Sequence, residues 1–403
     1  MQLTVVALLG LAVVMVQSAG MRLPEQPGAR TGALALLTGR PVVYALLSIA
    51  VMLLASRINV RELFRVHGLG NPLIWIVLLS LALVAMTLVP GLGRSVNGSS
   101  RWLYLGPRAW GLSFQPSELV KWVMVLAIAW WCARRRGVMH RLGHGLVPPL
   151  LLVAVACGLI VIEDLGTAVL IGLVALCVLI AGGARLWQLA LAIPPAAVAV
   201  WLAILHSPYR MQRLVTFLNP WQDPEGSGYH AIQSKLAIVT GGLLGKGLGN
   251  GTRKFGYLPE DTTDFIFAII CEELGLAGAL LVISLYLVLL WVGLGIVRDC
   301  KDTFARLVGL GVLLTLGVQA MVNIAVVTVV VPTKGIALPL ISAGGTGWIM
   351  TAFALGLVAS LDEANRIADE DRLDALAHAA RDRAEAGYVP SSLDDGVWPP
   401  PPG

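Results

Sequence analysis

The sequence predicts an all-α, polytopic membrane protein with about ten transmembrane helices and a large ordered extracytoplasmic loop between spans 7 and 8. The chain is 57% hydrophobic and only 13% charged, whereas a soluble domain is about a quarter charged. Its apolar residues come in nearly uncharged blocks of about 15 to 25, the length that crosses ~30 Å of hydrocarbon. Because lipid offers the backbone no hydrogen-bond partner, each block is expected to form a helix, and strands are not expected in the body.

Each predicted span is one of these apolar blocks. The blocks cover residues 2–19, 41–56, 72–90, 117–133, 147–162, 166–182, 186–205, 265–294, 306–330 and 338–360. The first block resembles the core of a signal peptide, but no Lys or Arg precedes it, so a first transmembrane helix is predicted. The five cysteines form no CxxC and lie mostly inside the blocks, which indicates reduced packing residues.

Positive charge between the blocks predicts the orientation of the chain. An arginine run from Arg134 to Arg136 follows span 4, and further Arg or Lys residues follow spans 2, 6 and 8. Cytoplasmic loops carry such an excess, so these loops and both termini are predicted to be cytoplasmic. Arg22, Arg30 and Arg40 in the first outer loop oppose this orientation and are outweighed by the run after span 4. The placement of the basic residues favours a membrane over nucleic acid as the partner.

The segments outside the spans differ in composition. Residues 91–116 and 206–264 are too long for simple turns, and 206–264 has hydrophobic and aromatic residues throughout. Long loops in compact proteins are usually functional or disordered, and this composition favours an ordered outer layer. Residues 1–361 are therefore predicted as one transmembrane domain that includes this loop. The tail, 362–403, is acidic and ends in prolines, and it is predicted to be cytoplasmic with a disordered stretch at 387–403.

The first cluster of chemical interest lies where span 4 begins. Glu118 and Lys121 are three residues apart and share one helix face, and Arg101 lies upstream. Ionisable residues at the edge of a span are functional candidates, and a cationic patch there suits a pyrophosphate. The alternative is structural: an acid at a helix start and a lysine that extends to the surface.

The second cluster lies where the long outer loop reaches span 8. Asp264 stands at this junction, with Glu260 shortly before it. One interpretation is a general base at the membrane surface. The other is helix capping by the threonines at 262–263, with Asp264 complementing the helix dipole. Glu272 and Glu273 follow in span 8, where we expect them to have a structural role.

The third cluster lies between spans 9 and 10. Pro332 and Pro339 bracket a break in the chain, Lys334 adds a cation, and Ser342 precedes a glycine pair at 344–345. Adjacent glycines permit close helix packing or close approach of a ligand. The alternative is a re-entrant turn with no catalytic part. Taken together, the three clusters fit either a transporter or an enzyme that acts on a phosphorylated lipid.

Five motifs in order resemble the SEDS family of shape, elongation, division and sporulation proteins, which includes FtsW, RodA and SpoVE. The first motif has two parts, NGSSRW at 97–102 and QPSELVK at 115–121. The other four are NPWQDP at 219–224, GGLLGKG at 241–247, LPEDTTDFIFAIICEELG at 258–275, and the Pro-bracketed break at 332–345. The resemblance runs from about residue 5 to residue 360. The motifs at 97–98 and 332–335 look more like the division members than the elongation members, and an elongation-type polymerase is the alternative. Departures at 162–167 and 342–347 affect fine substrate contacts and leave the main site intact.

The resemblance implies a peptidoglycan glycosyltransferase that polymerises lipid II at the outer face of the inner membrane. It implies a class B penicillin-binding protein and divisome proteins as partners, and undecaprenyl pyrophosphate as the leaving group. It assigns Asp264 the essential acidic role, which fits a base for the acceptor hydroxyl. The residues expected to bind the substrate are Arg101, Glu118, Lys121, Arg210 (or its neighbour Arg213), Lys246, Glu260, Lys334 and Ser342. A divalent cation, Mg²⁺ or Mn²⁺, could share the pyrophosphate, with ligands that the sequence does not identify.

Two other functions are open on the sequence. A lipid II flippase or other lipid transporter would place ionisable residues near the middle of the membrane along a path, whereas here they cluster at the outer edge. A non-catalytic scaffold would account for the acidic tail but not for the outer motifs.

Overall fold

The computed structural model describes residues 1–20, 39–64, 66, 68–90, 92–96, 99–104, 113–254, 262–333 and 335–385. Its helices are α1 (Gln2–Ala19), α2 (Arg40–Ala55), α3 (Val60–Leu63), α4 (Pro72–Thr87), α5 (Pro116–Arg134), α6 (Val147–Val161), α7 (Leu165–Ala181), α8 (Leu186–Ala190), α9 (Ile193–Leu205), α10 (Pro208–Leu218), α11 (Tyr229–Gly241), α12 (Ile266–Asp299), α13 (Thr303–Val327) and α14 (Thr346–Glu385). Short 3₁₀ or π-helical turns lie at Gly68–Gly70, Leu142–Leu146 and Pro220–Gln222. The described chain is mostly helical, as predicted.

Among the described residues, nine apolar helical segments coincide with predicted spans. Six of these are long enough to cross a membrane: Gln2–Ala19, Pro116–Arg134, Leu142–Val161 (the π-helical turn with α6), Leu186–Leu205 (α8 with α9), Ile266–Asp299 and Thr303–Val327. Three are shorter: Arg40–Ala55, Pro72–Thr87 and Leu165–Ala181. The tenth predicted span, 338–360, overlaps α14, which begins only at Thr346. The count of ten spans, the side on which the long loop lies and the location of the termini stay predictions.

A small antiparallel sheet corrects the purely helical prediction. Its strands are β1 (Gly93–Val96), β2 (Ser99–Tyr104) and β3 (Ser113–Phe114), in the order β1-β2-β3. Gly93 pairs with Leu103, and Leu103 pairs with Phe114. The sheet lies in the 91–116 segment, outside the apolar blocks. Water can bond the open strand edges there, so the rule that excludes open sheets from lipid does not apply.

The core of the bundle lies around α5 and α13, which are the most enclosed of the long apolar helices. Helix association in lipid depends on close packing at small residues. A Cβ at Gly311 of α13 would lie 2.5 Å from Val125 of α5 and 3.1 Å from Val178 of α7. Likewise, a Cβ at Gly356 of α14 would lie 2.5 Å from the carbonyl oxygen of Met52 in α2. Glycines therefore set how closely these helices approach one another.

Helix α1 is part of this core. Its residues Leu8, Leu9, Ala12 and Met15 are fully buried or nearly so and belong to the main hydrophobic cluster. The helix packs against α12 and α2. This packing agrees with the prediction of a transmembrane helix at the start of the sequence.

Helix α12 is interrupted, whereas the sequence predicted one continuous span over 265–294. Gly275 has φ 67° and ψ −160° inside it, a conformation that residues other than glycine rarely adopt. The loop after α11 bonds to the backbone of α12 at this interruption. The amide of Leu276 donates to the carbonyl of Gly242 over 2.9 Å, and the amide of Lys246 donates to the carbonyl of Glu272 over 3.0 Å. A Cβ at Gly275 would lie 2.4 Å from the Gly245 nitrogen. The loop and the interrupted helix therefore pack backbone against backbone.

Candidate functional site

The ion pair predicted at the start of α5 is present and is buried. Lys121 Nζ lies 2.8 Å from Glu118 Oε2 and 2.7 Å from Gln319 Oε1 on α13, and Lys121 is only 2% exposed. A lysine extending to the surface would be exposed, so that alternative prediction is wrong. A buried ammonium needs partners that offset its desolvation, and a carboxylate and an amide oxygen supply them here.

Two amides on α13 join this pair to the other two clusters. Gln319 Nε2 donates to the carbonyl of Ala337 over 2.9 Å. Asn323 Nδ2 donates to the carbonyl of Ile336 over 2.7 Å and to that of Asp264 over 2.9 Å. Residues four apart lie on the same helix face. The chain between α13 and α14 is thereby held to the buried pair at one point and to Asp264 at the next.

Sequence reasoning did not single out Gln319 or Asn323. Both lie inside the predicted span 306–330, which is otherwise strongly apolar. Polar side chains within membrane helices commonly bond across helices. Two amides at helical spacing in such a span were therefore the signal that could have found them.

Asp264 lies half-buried where the chain that follows α11 reaches α12. A Cβ built at Gly335 would lie 2.6 Å from Asp264 Oδ2, so the main chain of this glycine lies directly against the carboxylate. Close by, the amide of Ala343 donates to the carbonyl of Thr262 over 2.8 Å. Asp264 and the Pro-bracketed break, which are about seventy residues apart in sequence, therefore form one site.

Ser342 bonds to the main chain of the Pro-bracketed break. Its Oγ accepts a hydrogen bond from the Leu338 amide over 2.7 Å, and the residue is buried. The Tyr286 hydroxyl of α12 donates to the carbonyl of Pro339. Leu340 has a φ of 63°, a strained conformation that the surrounding contacts must enforce. The hydroxyl predicted to bind substrate is thus engaged with the break's own backbone.

Arg101 lies on β2 beside the start of α5. Its Nε donates to the carbonyl of Glu163 over 3.0 Å, and its guanidinium lies 3.8 Å from Asp164 Oδ2. It lines a small cleft together with Pro116, Ser117 and residues at the end of α6. Its side chain is partly exposed, so this cation remains accessible next to the helix that carries Glu118.

The two arginines considered for the loop have different surroundings. Arg210 donates to the carbonyls of Val161 over 2.6 Å and Ile162 over 2.8 Å, so it ties α10 to the end of α6. Arg213 donates to the carbonyl of Thr333 over 3.1 Å. Arg213 therefore contacts the break that packs against Asp264, whereas Arg210 binds elsewhere.

Lys246 pairs with Glu272 rather than with the break. Its Nζ lies 2.7 Å from Glu272 Oε1, and the lysine side chain is 31% exposed. Next to it, Lys254 Nζ lies 2.8 Å from Glu273 Oε1, and both of these side chains are fully buried. Ser18, at the end of α1, donates to Glu273 over 2.6 Å. These contacts are consistent with the structural role expected for both glutamates, because they hold the loop after α11 on α12 and α1.

Two predicted substrate-binding residues, Glu260 and Lys334, lie outside the described residues, as do Asn97 and Gly98 of the first motif. Among the residues that the structure describes, no group of three or more His, Cys, Asp or Glu side chains could hold a metal ion. Mg²⁺ often binds through one or two carboxylates together with substrate phosphates. A divalent cation shared with the substrate therefore stays a prediction.

The fold and site define a class: a multi-pass helical membrane protein whose carboxylate-bearing polar site lies at one end of the bundle. The model of the cell cycle protein family of FtsW, RodA and SpoVE matches residues 1–367. The chain belongs to that family.

Curated relatives and solved structures agree with this membership. The chain is 36% identical over 371 residues to the probable peptidoglycan glycosyltransferase FtsW of Alkalilimnicola ehrlichii, covering 91% of this chain and 89% of the relative. It is 38% identical over 323 residues to the probable peptidoglycan glycosyltransferase FtsW of Coxiella burnetii, covering 79% and 84%.

Two solved structures have the same fold. One, described as showing structural coordination of polymerization and crosslinking by a peptidoglycan synthase complex, contains a chain with TM-score 0.69 and 28% identity, covering 90% of this chain and 97% of that one. The other is the rod shape determining protein RodA of Thermus thermophilus, with TM-score 0.60 and 26% identity, covering 90% and 95%.

Proposed function

We propose that this protein polymerises lipid II into glycan strands at the outer face of the inner membrane, for septal wall synthesis. It is a peptidoglycan glycosyltransferase of its family, since curated relatives carry that name across most of the chain and a structural neighbour belongs to a peptidoglycan synthase complex. The septal role is supported by the FtsW names of those relatives. The apolar helices support a multi-pass location in the membrane.

In the proposed reaction Asp264 is the general base. The 4-hydroxyl of the acceptor GlcNAc loses its proton to Asp264 while its oxygen attacks the anomeric carbon of the donor, and the bond to undecaprenyl pyrophosphate breaks. The observation that carries this proposal is the placement of Asp264. Its main chain is bonded to Asn323 and its carboxylate lies against Gly335, yet the residue is only half-buried. A base that is both fixed and reachable meets the geometric requirement of proton transfer.

Cations at the same end of the bundle would stabilise the leaving pyrophosphate. Arg213, through its contact with the break, and the partly exposed Arg101 are the described candidates, and Lys334 is the third. Lys121, enclosed by Glu118 and Gln319, would act through its charge and not by direct contact. A divalent cation, held partly by carboxylate and partly by pyrophosphate, would add further neutralisation of charge.

The proposed partner is a class B penicillin-binding protein, which would crosslink the strands that this protein makes. The support is the structural neighbour from a complex that coordinates polymerization and crosslinking. Copurification of the two proteins, and a higher polymerisation rate for the pair than for this protein alone, would support the partnership. Rates that stay the same with and without the partner would count against it.

The central test is Asp264→Asn in purified protein supplied with labelled lipid II, with and without the cognate transpeptidase. Loss of a general base is expected to lower polymerisation by about 100-fold or more. Glu225→Gln is the matched control, because Glu225 is an exposed carboxylate in the same outer segment and lies beyond the NPWQDP motif at 219–224. A fully active Asp264→Asn protein would overturn the assignment.

Lipid transport is the alternative that the buried Lys121 could favour, since charges inside a bundle often mark a substrate path. In this structure the ammonium is closed in by Glu118 and Gln319. Labelled lipid II in reconstituted vesicles separates the two functions. A transporter would move the label across the bilayer without forming polymer, and Asp264→Asn would not alter that movement.

A further inference from the structure

The contacts of Asn323 converge on the main chain at the proposed catalytic site. Asn323 is 1% exposed, and its Nδ2 donates both to the carbonyl of Asp264 and to that of Ile336, the residue after Gly335. Both acceptors are carbonyl oxygens, which take hydrogen bonds and cannot give them. The orientation of the amide is therefore set by chemistry, since only its nitrogen can face them.

Among the residues that the structure describes, the amide oxygen of Asn323 makes no competing hydrogen bond. The polar contacts of this side chain are thus the two main-chain bonds, one on each of the two segments that meet at Asp264.

Gln319 repeats the arrangement one turn earlier on α13. Its Oε1 accepts from Lys121, and its Nε2 donates to the carbonyl of Ala337, the neighbour of Ile336. The two amides therefore bond successive carbonyls of the same break. One of them connects the break to the buried cation, and the other connects it to the proposed base.

We propose that Asn323 is a positioning residue that holds the Asp264 carboxylate in register with the break, with Gln319 setting the distance to the buried Lys121–Glu118 pair. The proposal rests on the proposed function, because it assumes that Asp264 is the working carboxylate. Its physical basis is that small displacements of a catalytic group are costly: a shift of about 1 Å can lower the rate by about 100-fold. Asn323 acts through Asp264 and need not touch the substrate.

The test uses two Asn323 variants of nearly unchanged size in the purified full-length protein, assayed with labelled lipid II. Asn323→Leu removes both hydrogen bonds, and Asn323→Asp replaces the donor nitrogen with oxygen. Each is expected to lower kcat by roughly 10- to 100-fold while KM for lipid II changes little. The melting temperature of each variant shows whether it keeps the fold. Only the activity of a variant that keeps the fold is used to decide the outcome.

Thr328→Val is the matched control at the end of the same helix. Thr328 caps the C-terminus of α13, and among the described residues its hydroxyl bonds only to the carbonyls of Ile324 and Ala325. Its loss therefore removes a side-chain hydrogen bond without removing one to Asp264 or to the break. Its kcat is expected to equal that of the unmodified protein. If kcat of Thr328→Val fell as far as kcat of the Asn323 variants, then losing any side-chain hydrogen bond at this end of α13 would have the same effect. That result would overturn the proposal.

A double variant tests whether Asn323 acts through Asp264. In an Asp264→Glu background, which keeps a displaced carboxylate, adding Asn323→Leu is expected to lower kcat by much less than it does alone. Multiplicative losses, or a raised KM at unchanged kcat, would overturn the positioning role. Failure of the two proposals can be told apart. If the Asn323 variants have an unchanged kcat and Asp264→Asn is inactive, only this inference is overturned. If Asp264→Asn is active, both the base assignment and this inference are overturned.

Discussion

At the scale of single residues, Gly335 and Asp264 show how closely this site is packed. The 2.6 Å between Asp264 Oδ2 and a Cβ built at Gly335 is shorter than any normal contact between these atoms. The atom that must yield is the end of a movable side chain and not backbone. A larger residue at this position would therefore displace the carboxylate while leaving the fold largely undisturbed.

Gly335→Ala is accordingly expected to lower polymerisation by about 10- to 100-fold with little change in melting temperature. Gly344→Ala in the same segment is the control, because its Cβ would meet only ordinary contacts at 3.6 and 3.9 Å. Steady-state polymerisation of labelled lipid II measures both. Equal activity of the two variants would contradict the role given to the contact with Asp264.

The buried ion pair gives a second prediction at this scale. Lys121 is 2% exposed and Glu118 is 18% exposed, so the lysine is more deeply buried than the glutamate. Glu118→Gln leaves an ammonium inside the bundle without its carboxylate, at a cost of roughly 3 kcal/mol. Lys121→Met removes the buried charge and leaves a carboxylate that can still reach solvent. Denaturant unfolding should therefore find Glu118→Gln the less stable of the two, and the reverse order would contradict this account.

At the scale of elements, the loop after α11 and the interrupted α12 form one unit. Gly245 has φ +77°, and a Cβ there would lie 2.1 Å from the carbonyl oxygen of Glu273. Neither backbone can move away easily, because the buried pair of Lys254 and Glu273 holds them together. The unit connects the chain that precedes Asp264 to the end of α1 through Ser18.

Gly245→Ala is therefore expected to destabilise the protein by about 2 kcal/mol or more, from the left-handed backbone and the contact with Glu273 combined. Gly172→Ala is the matched control within α7, where a Cβ meets nothing within 4 Å, and it should be neutral or stabilising by about 0.5–1 kcal/mol. Thermal melting in detergent compares them. A Gly245→Ala protein as stable as the control would rule out the backbone-to-backbone packing described for this unit.

At the scale of the whole molecule, orientation follows from charge. The arginine run after α5 predicts that end of the bundle to be cytoplasmic, which places the loop after α11 outside. Both regions offer exposed positions for labelling: Leu244 is 84% exposed, and a Cβ built at Gly137 meets nothing within 4 Å. The five native cysteines are buried or partly buried.

A cysteine introduced by Leu244→Cys should react with a membrane-impermeant maleimide in whole cells whose outer permeability barrier has been opened. One introduced by Gly137→Cys should react only after the inner membrane is broken. The unsubstituted protein measures the background from native cysteines. The opposite labelling pattern would invert the predicted topology and would place Asp264 on the wrong side for lipid II polymerisation.

Much of the fold was accessible from hydrophobicity alone, because lipid forces each long apolar block to satisfy its backbone within one helix. The small sheet was missed, since its strands lie outside those blocks, where this rule has no force. The interruption at Gly275 was also missed. A glycine in an apolar run is common in membrane helices, and its left-handed conformation depends on the loop that packs against it.

The sequence by itself determined the class of fold and the apolar spans, because composition and charge pattern are properties of the chain. The family resemblance carried by the order of its motifs added the candidate role of Asp264. The sequence did not determine which polar groups meet. Only the tertiary structure placed Gly335 against Asp264, enclosed Lys121, turned Lys246 and Arg210 to partners away from the break, and brought Gln319 and Asn323 to successive carbonyls. The physical reason is that a buried polar group takes whichever partner the packing of distant segments brings within reach, and that choice is not encoded in local spacing.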